Sequence, residues 1–251
     1  MKKRFALILV IVLLGSLLPS ALTKAEHSDD FTFFIPWNAD RQAEFFRLEG
    51  QLTGAGNPIN VTGVEYTIGI SVLRAGSVIY YDHWEDELEE NILFPTQAST
   101  EVWGDGDPSN GAPPDDPGDS ILPAGRVIIL NNVVPVPRDQ AFFYDDGGDK
   151  VLSVGGAIAI NMSTWPDPDG GILFADSWEL LAVGIWGSNY VSPVGEDVSR
   201  PNGNPPPGDG FEVAVLVVQS AHDDNIVNID LNGDGTFDRT VQLDEGEQYN
   251  S

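Results

Sequence analysis

The sequence has no cysteine. That excludes disulfides and any cysteine nucleophile, so stability must come from core burial or from metal. Basic residues are scarce: 12 Lys and Arg stand against 39 Asp and Glu, a net charge of −27. A surface of that sign repels nucleic acid and anionic lipid, whereas it suits divalent cations and solubility. Only three histidines occur, His27, His83 and His222, and none has a second histidine at ligand spacing. Neither a Gly-x-Ser-x-Gly nucleophile elbow nor a Gly-x-x-x-x-Gly-Lys phosphate loop is found, which removes two common enzyme classes. A sustained helical period is missing as well.

What is present begins with a secretory signal pattern. Lys2, Lys3 and Arg4 precede an apolar run from Phe5 to Leu18, and Thr23-Lys24-Ala25 offers a small-residue cleavage site. The run is short for a membrane span; an uncleaved anchor is the rival reading. Cleavage after Ala25 removes four basic residues and leaves 8 basic against 39 acidic residues, a net charge of −31. No membrane insertion is expected after cleavage. The remaining residues 26–251 are enough to bury one sizeable core.

Short β signals follow one another. Phe31 to Ile35 reads as a strand ended by Pro36, and Asn38 to Glu49 fits a short helix or a strand. Val64, Tyr66, Ile68, Ile70 and Val72 alternate with mostly polar neighbours, which marks a half-buried strand. Arg74-Ala-Gly-Ser77 predicts a hairpin into a strand over Val78–Trp84. Arg126–Leu130, Lys150–Val154, Ala157–Met162 and Trp178–Val183 are further strands, with Gly155-Gly156 predicting a second hairpin. Phe211–Val218 reads as a central strand buried on both faces. Asn225–Ile229 and Arg239–Leu243 flank an Asp-rich loop. With 27 Gly and 18 Pro, the expectation is an all-β chain. It is an antiparallel sandwich or barrel with long Gly/Pro/Asp-rich surface loops, in one domain over 26–251. The final residues enter another strand, as the N-terminal piece of a longer surface protein would.

The densest stretch is Ser77 to Asn91, which runs on to Asp119. It places His83 and Trp84 among Asp82, Glu85, Asp86, Glu87, Glu89 and Glu90, then Asp105, Asp107, Asp115, Asp116 and Asp119. Tyr80-Tyr-Asp-His-Trp-Glu-Asp86, Thr100 to Pro114, and Gly147-Gly-Asp-Lys150 followed by Trp165-Pro166 resemble the N-terminal β-rich module of large exported bacterial adhesin-like surface proteins. The last portion is also similar to the N-terminal domain of the IgGFc-binding protein family. The resemblance covers roughly residues 31–251. It implies an extracellular, non-enzymatic module and carries no catalytic residue.

Asp230-Leu-Asn232-Gly-Asp234-Gly-Thr-Phe-Asp238 puts oxygen ligands at positions 1, 3, 5 and 9, with Gly at 6. That spacing matches the opening of an EF-hand calcium loop, because alternate side chains can converge on one hard cation. Val241 stands where the bidentate Glu belongs and the flanks read as strands; a plain Asn/Asp/Gly turn explains the same residues. Asp230, Asn232, Asp234 and Asp238 are therefore the candidate calcium ligands. Asp105, Asp107 and Asn110 form a looser second set. His83 with Glu85 could bind a transition metal, or act with Asp82 in acid–base work, though a polar strand end accounts for them too. Glu85 with Asp105, beside Trp84, Trp103 and Trp165, could serve a glycosidase or a sugar-binding face, since carboxylates pair as acid and base and rings stack on sugars. The expectation is a secreted or cell-surface module for adhesion or envelope structure, stabilised by calcium. Its partner would be an extracellular protein or glycan; the alternative is a carbohydrate-binding module or glycosidase.

Overall fold

A computed structural model describes residues 30–52, 60–168, 176–191 and 216–250, with the side chains of 48–52 excepted. The signal segment and most of the Phe211–Val218 stretch lie outside those residues. Twelve strands run in chain order: β1 (Phe31–Phe34), β2 (Gly63–Val72), β3 (Val78–Asp82), β4 (Glu101–Trp103), β5 (Val127–Pro135), β6 (Lys150–Val154), β7 (Ile158–Asp167), β8 (Asp176–Leu180), β9 (Val217–Gln219), β10 (Asn225–Ile229), β11 (Arg239–Leu243) and β12 (Gln248–Asn250). Among the described residues one α-helix, α1 (Ala39–Leu52), follows β1. Two four-stranded antiparallel sheets, ordered β1-β6-β3-β4 and β5-β2-β7-β8, pack together as an all-β sandwich. Two further pairs, β10-β11 and β12-β9, complete the described strands.

Alternation builds the core. Val64, Tyr66, Ile68, Ile70 and Val72 of β2 are buried, as are Ile158, Ile160 and Met162 of β7 and Ile128, Leu130 and Val134 of β5. The other sheet contributes Phe33, Ile79, Tyr81, Trp103 and Val151 to the same cluster. The segment open between helix and strand is a helix. Asn38 caps it, its Oδ1 accepting from the Arg41 N–H at 3.1 Å. Ala39, Ala43 and Phe46 then share its buried face.

Both expected hairpins are absent. β2 and β3 lie in different sheets, and so do β6 and β7. The turns at 73–77 and 155–157 are corners that carry the chain from one layer to the other. They lie side by side: the Leu73 N–H donates to the Ala157 carbonyl at 3.0 Å. Gly156 leaves no room for a side chain, since a Cβ there would sit 2.3 Å from Ser77 Oγ. A glycine turn between two β runs predicts a reversal of direction. Whether the returning strand pairs with its predecessor is decided by which layer buries its apolar face. The described end of the Phe211–Val218 stretch is also corrected. β9 is half-buried and pairs only with β12, so it is not a central strand within the described residues. The hairpin of β10 and β11 has the expected bounds.

Candidate functional site

Register creates the polar centre of the molecule. β3 pairs with β6 so that Asp82 stands opposite Lys150. Continuing that antiparallel register sets His83 against Asp149 and Trp84 against Gly148. The His83 Nδ1 lies 3.4 Å from Asp149 Oδ2 and 3.1 Å from the Tyr144 carbonyl oxygen. Gly148 is required at its place: its φ is +122°, and a Cβ would meet the Trp84 ring at 2.4 Å. Gly147 is as constrained, because a Cβ would lie 1.9 Å from the Trp37 carbonyl oxygen.

Around this pair the Trp84–Asp86 turn and the loop from β5 to β6 close a network. Asp149 Oδ2 accepts from the Tyr81 hydroxyl at 2.9 Å and from the Asp146 N–H at 3.1 Å. Arg138 donates from Nε to Asp146 Oδ2 and from Nη2 to Asp146 Oδ1, each at 2.9 Å, and from Nη2 to Glu85 Oε1 at 2.5 Å. Glu85 Oε1 also accepts the Tyr144 N–H at 2.9 Å. The guanidinium stacks between Trp84, 4.8 Å from the ring centroid, and Tyr144, at 5.0 Å. Side chains of Arg138, Glu85 and Asp146 are at most 2% exposed. His83, Glu85 and Asp149 each offer a ligand atom, all within 4.8 Å of one another. Among the described residues no other group of three or more His, Asp or Glu comes so close. Glu85 Oε2 and Asp149 Oδ1 are buried without a hydrogen-bond partner.

Burial and charge shift these groups. Burial alone would lower His83, but Asp149, Asp145 and Glu85 outweigh it and hold the imidazole up at about 10. Burial pushes Asp145 up to about 6, reinforced by Asp149. It pushes Asp146 up to about 7 against the pull of Arg138. The Tyr81 phenol is raised by burial and then by Asp149.

Most other carboxylates of the acidic stretch pin local backbone. Asp82 accepts from the Glu89 N–H at 2.9 Å and the Thr100 hydroxyl at 2.7 Å. Glu89 takes the N–H groups of Thr96 and Gln97. Asp119 takes those of Gly104 and Gly106, at 2.5 and 2.8 Å, and so holds the connection from β4 to β5. Asp105 and Asp107 accept from donors within residues 107–110. Arg126 pairs with Asp115 at 2.8 Å. The Glu85 side chain is buried and Asp105 lies in an exposed turn, so the two do not face each other across an open cleft. Trp103 is buried, stacked on Tyr81 at 5.2 Å and bonded to Glu101. The Trp165 N–H donates to Glu65 at 2.6 Å.

Asp230, Asn232, Asp234 and Asp238 lie on the exposed β10–β11 connection. Asp230 accepts from the N–H groups of Gly233 and Gly235 at 2.7 and 2.8 Å, Asn232 from Asp234 at 2.9 Å, Asp234 from Thr236 at 2.8 Å, and Asp238 from Leu231 at 2.8 Å. The loop is thus organised by its own side chains, and its carboxylates do not converge as closely as His83, Glu85 and Asp149. The Thr236 hydroxyl and N–H hold the Asp234 carboxyl below its ordinary range.

Sequence reasoning singled out His83 and Glu85 but not Asp149, Arg138, Asp145 or Asp146 as members of one site. A usable signal existed: Gly147-Gly-Asp-Lys150 stands at the head of a β run, and Arg138 is one of few cations in an acidic chain. Comparison with family models, with curated proteins and with solved structures returned no match to this chain.

Proposed function

We propose that the chain is an exported, surface-displayed β-module that serves adhesion or cell-envelope structure by binding an extracellular protein or glycan, without catalysing a reaction. Calcium held by Asp230, Asn232, Asp234 and Asp238 stabilises it in this reading. The observation that carries the proposal is how the acidic residues are used. Asp82, Glu89, Asp119 and Asp146 are engaged by partners within the chain. Asp105, Asp107, Asp230 and Asp234 brace their own turns. That is the economy of a scaffold with rigid acidic loops; Glu85, with its side chain enclosed, and Asp105, in an exposed turn, are not placed as a catalytic pair. The resemblance to adhesin-like modules points the same way.

A carbohydrate-binding role is the second reading, now favoured by a different set of rings. A groove of about 610 Å³ is lined by Phe34, Trp37, Trp178, Trp186 and Tyr190. Aromatic rings lining a groove suit the apolar face of a sugar.

The test is export followed by binding. Exported material should begin at Glu26 on N-terminal sequencing, and the module should be cleaved by protease added to intact producing cells. Beads coated with residues 26–251 should adhere to extracellular-matrix or glycan-coated surfaces. A cell-internal product retaining Met1, or glycan hydrolysis by the purified chain, would overturn the proposal. Binding confined to glycan surfaces and lost on Trp186→Ala would select the second reading.

A further inference from the structure

The geometry points to a second, buried metal site: His83, Glu85 and Asp149 together bind a first-row transition dication of the zinc type. It is separate from the hairpin loop and does not rest on the calcium reading. Two observations meet here. One imidazole and two carboxylates place ligand atoms within 4.8 Å of one another. Asp149 is fully buried and the Glu85 side chain is 0% exposed, yet Asp149 Oδ1 and Glu85 Oε2 have no hydrogen-bond partner. Buried carboxylate oxygens are costly when unpaired, and a cation removes that cost for both at once.

The remaining atoms of the three side chains are already positioned, as metal ligands usually are by an outer shell. The second oxygen of Asp149 is fixed by the Tyr81 hydroxyl and the Asp146 N–H. That of Glu85 is fixed by Arg138 and the Tyr144 N–H. The imidazole is held at the Tyr144 carbonyl and between the rings of Tyr81 and Phe143, at centroid distances of 5.1 and 5.9 Å. Charge agrees. Asp145, Asp149 and Glu85 surround His83, Asp146 adjoins them, and Arg138 is the guanidinium set against these carboxylates. The ligand set also selects the metal. Calcium takes six to eight oxygens and magnesium keeps an octahedral shell rich in water, whereas an imidazole with two carboxylates suits zinc and its neighbours.

The probe is zinc chloride added to chelator-stripped residues 26–251 in excess calcium, followed by gel filtration and metal analysis. One zinc per chain should be retained. Retention should persist in Asp234→Ala, which alters only the hairpin loop. His83→Gln should weaken zinc by more than the roughly 10–100-fold that losing an outer-shell partner costs. If His83→Gln does not fold, Glu85→Gln and the native chain keep the idea falsifiable. Cobalt added to the native chain should produce hyperfine-shifted ring-proton signals from one histidine, and Glu85→Gln should abolish them. Zinc retention unchanged in His83→Gln, zinc lost in Asp234→Ala, or no shifted histidine signal with cobalt would each overturn the site and leave the free oxygens to buried water.

Discussion

At the scale of single residues, Arg138 is the guanidinium enclosed among the central carboxylates. Its side chain is 2% exposed and bridges Glu85 and Asp146 while lying against Trp84 and Tyr144. Removing one partner of a buried pair leaves charge without compensation, which costs far more than the pair itself contributes. Arg138→Ala should therefore lower unfolding free energy by about 3–5 kcal/mol in urea titrations. The contrasting case is Arg126, paired with Asp115 at a site open to water. Arg126→Ala should cost under about 1 kcal/mol. Equal losses for the two would mean that the Arg138 network carries no special weight. The sequence offered no way to tell them apart. Both are isolated arginines near acids, and only the layering of the sandwich buries one and exposes the other.

Elements differ in how far their chemistry was legible. The β10–β11 hairpin was readable down to its bounds, since alternating Ile and Val flank a run of Asn, Asp and Gly. Local chemistry sufficed because the loop is exposed and satisfied by its own residues. The same independence makes calcium testable there. Carboxylates held on one short turn repel each other, and a dication relieves that repulsion. Free calcium at a hundred times the dissociation constant would stabilise the chain by about 2.7 kcal/mol. EDTA should lower the melting temperature by several degrees relative to millimolar calcium, and Asp234→Ala should remove most of that difference. Overlaid melting curves would reduce the loop to a turn. The β2–β3 and β6–β7 corners look like hairpins in the sequence because a glycine turn encodes the reversal and not the layer. Phe45 and Phe46 of helix α1 fit either period in the sequence; the Asn38 cap and the spacing of Ala39, Ala43 and Phe46 make it a helix.

For the whole molecule, stability should depend on pH in a definite direction. Asp82, Asp145 and Asp176 are raised above their ordinary value of 3.8, each mainly by burial, Asp145 to about 6. A carboxyl with a raised folded pKa binds its proton more tightly in the folded state. Its contribution is full below the unfolded pKa and is lost as pH rises towards the folded one. Glu89, Asp105 and Asp234 are lowered, hydrogen bonds to their carboxylates outweighing burial, and lose their contribution as pH falls below the ordinary carboxylate range. Thermal melts in EDTA should thus be highest near pH 4–5 and fall towards pH 7, and Asp145→Asn should flatten that decline. A maximum at pH 7 or above would contradict the assignment of these carboxyls as buried.

The sequence by itself determined the all-β class, most strand positions, the acidic sign of the surface and the hairpin loop. Each follows from period-2 alternation, turn chemistry or a charge count, which need only neighbours in the chain. Tertiary structure decided which strands share a sheet, and with it the polar centre. His83 and Asp149 lie 66 positions apart in sequence, and they meet because β3 and β6 pair in one particular register. No local pattern encodes that register. It is set by which faces of Ile79, Tyr81 and Val151 the core accepts, and a slip of one residue would turn those faces outward and separate the pair.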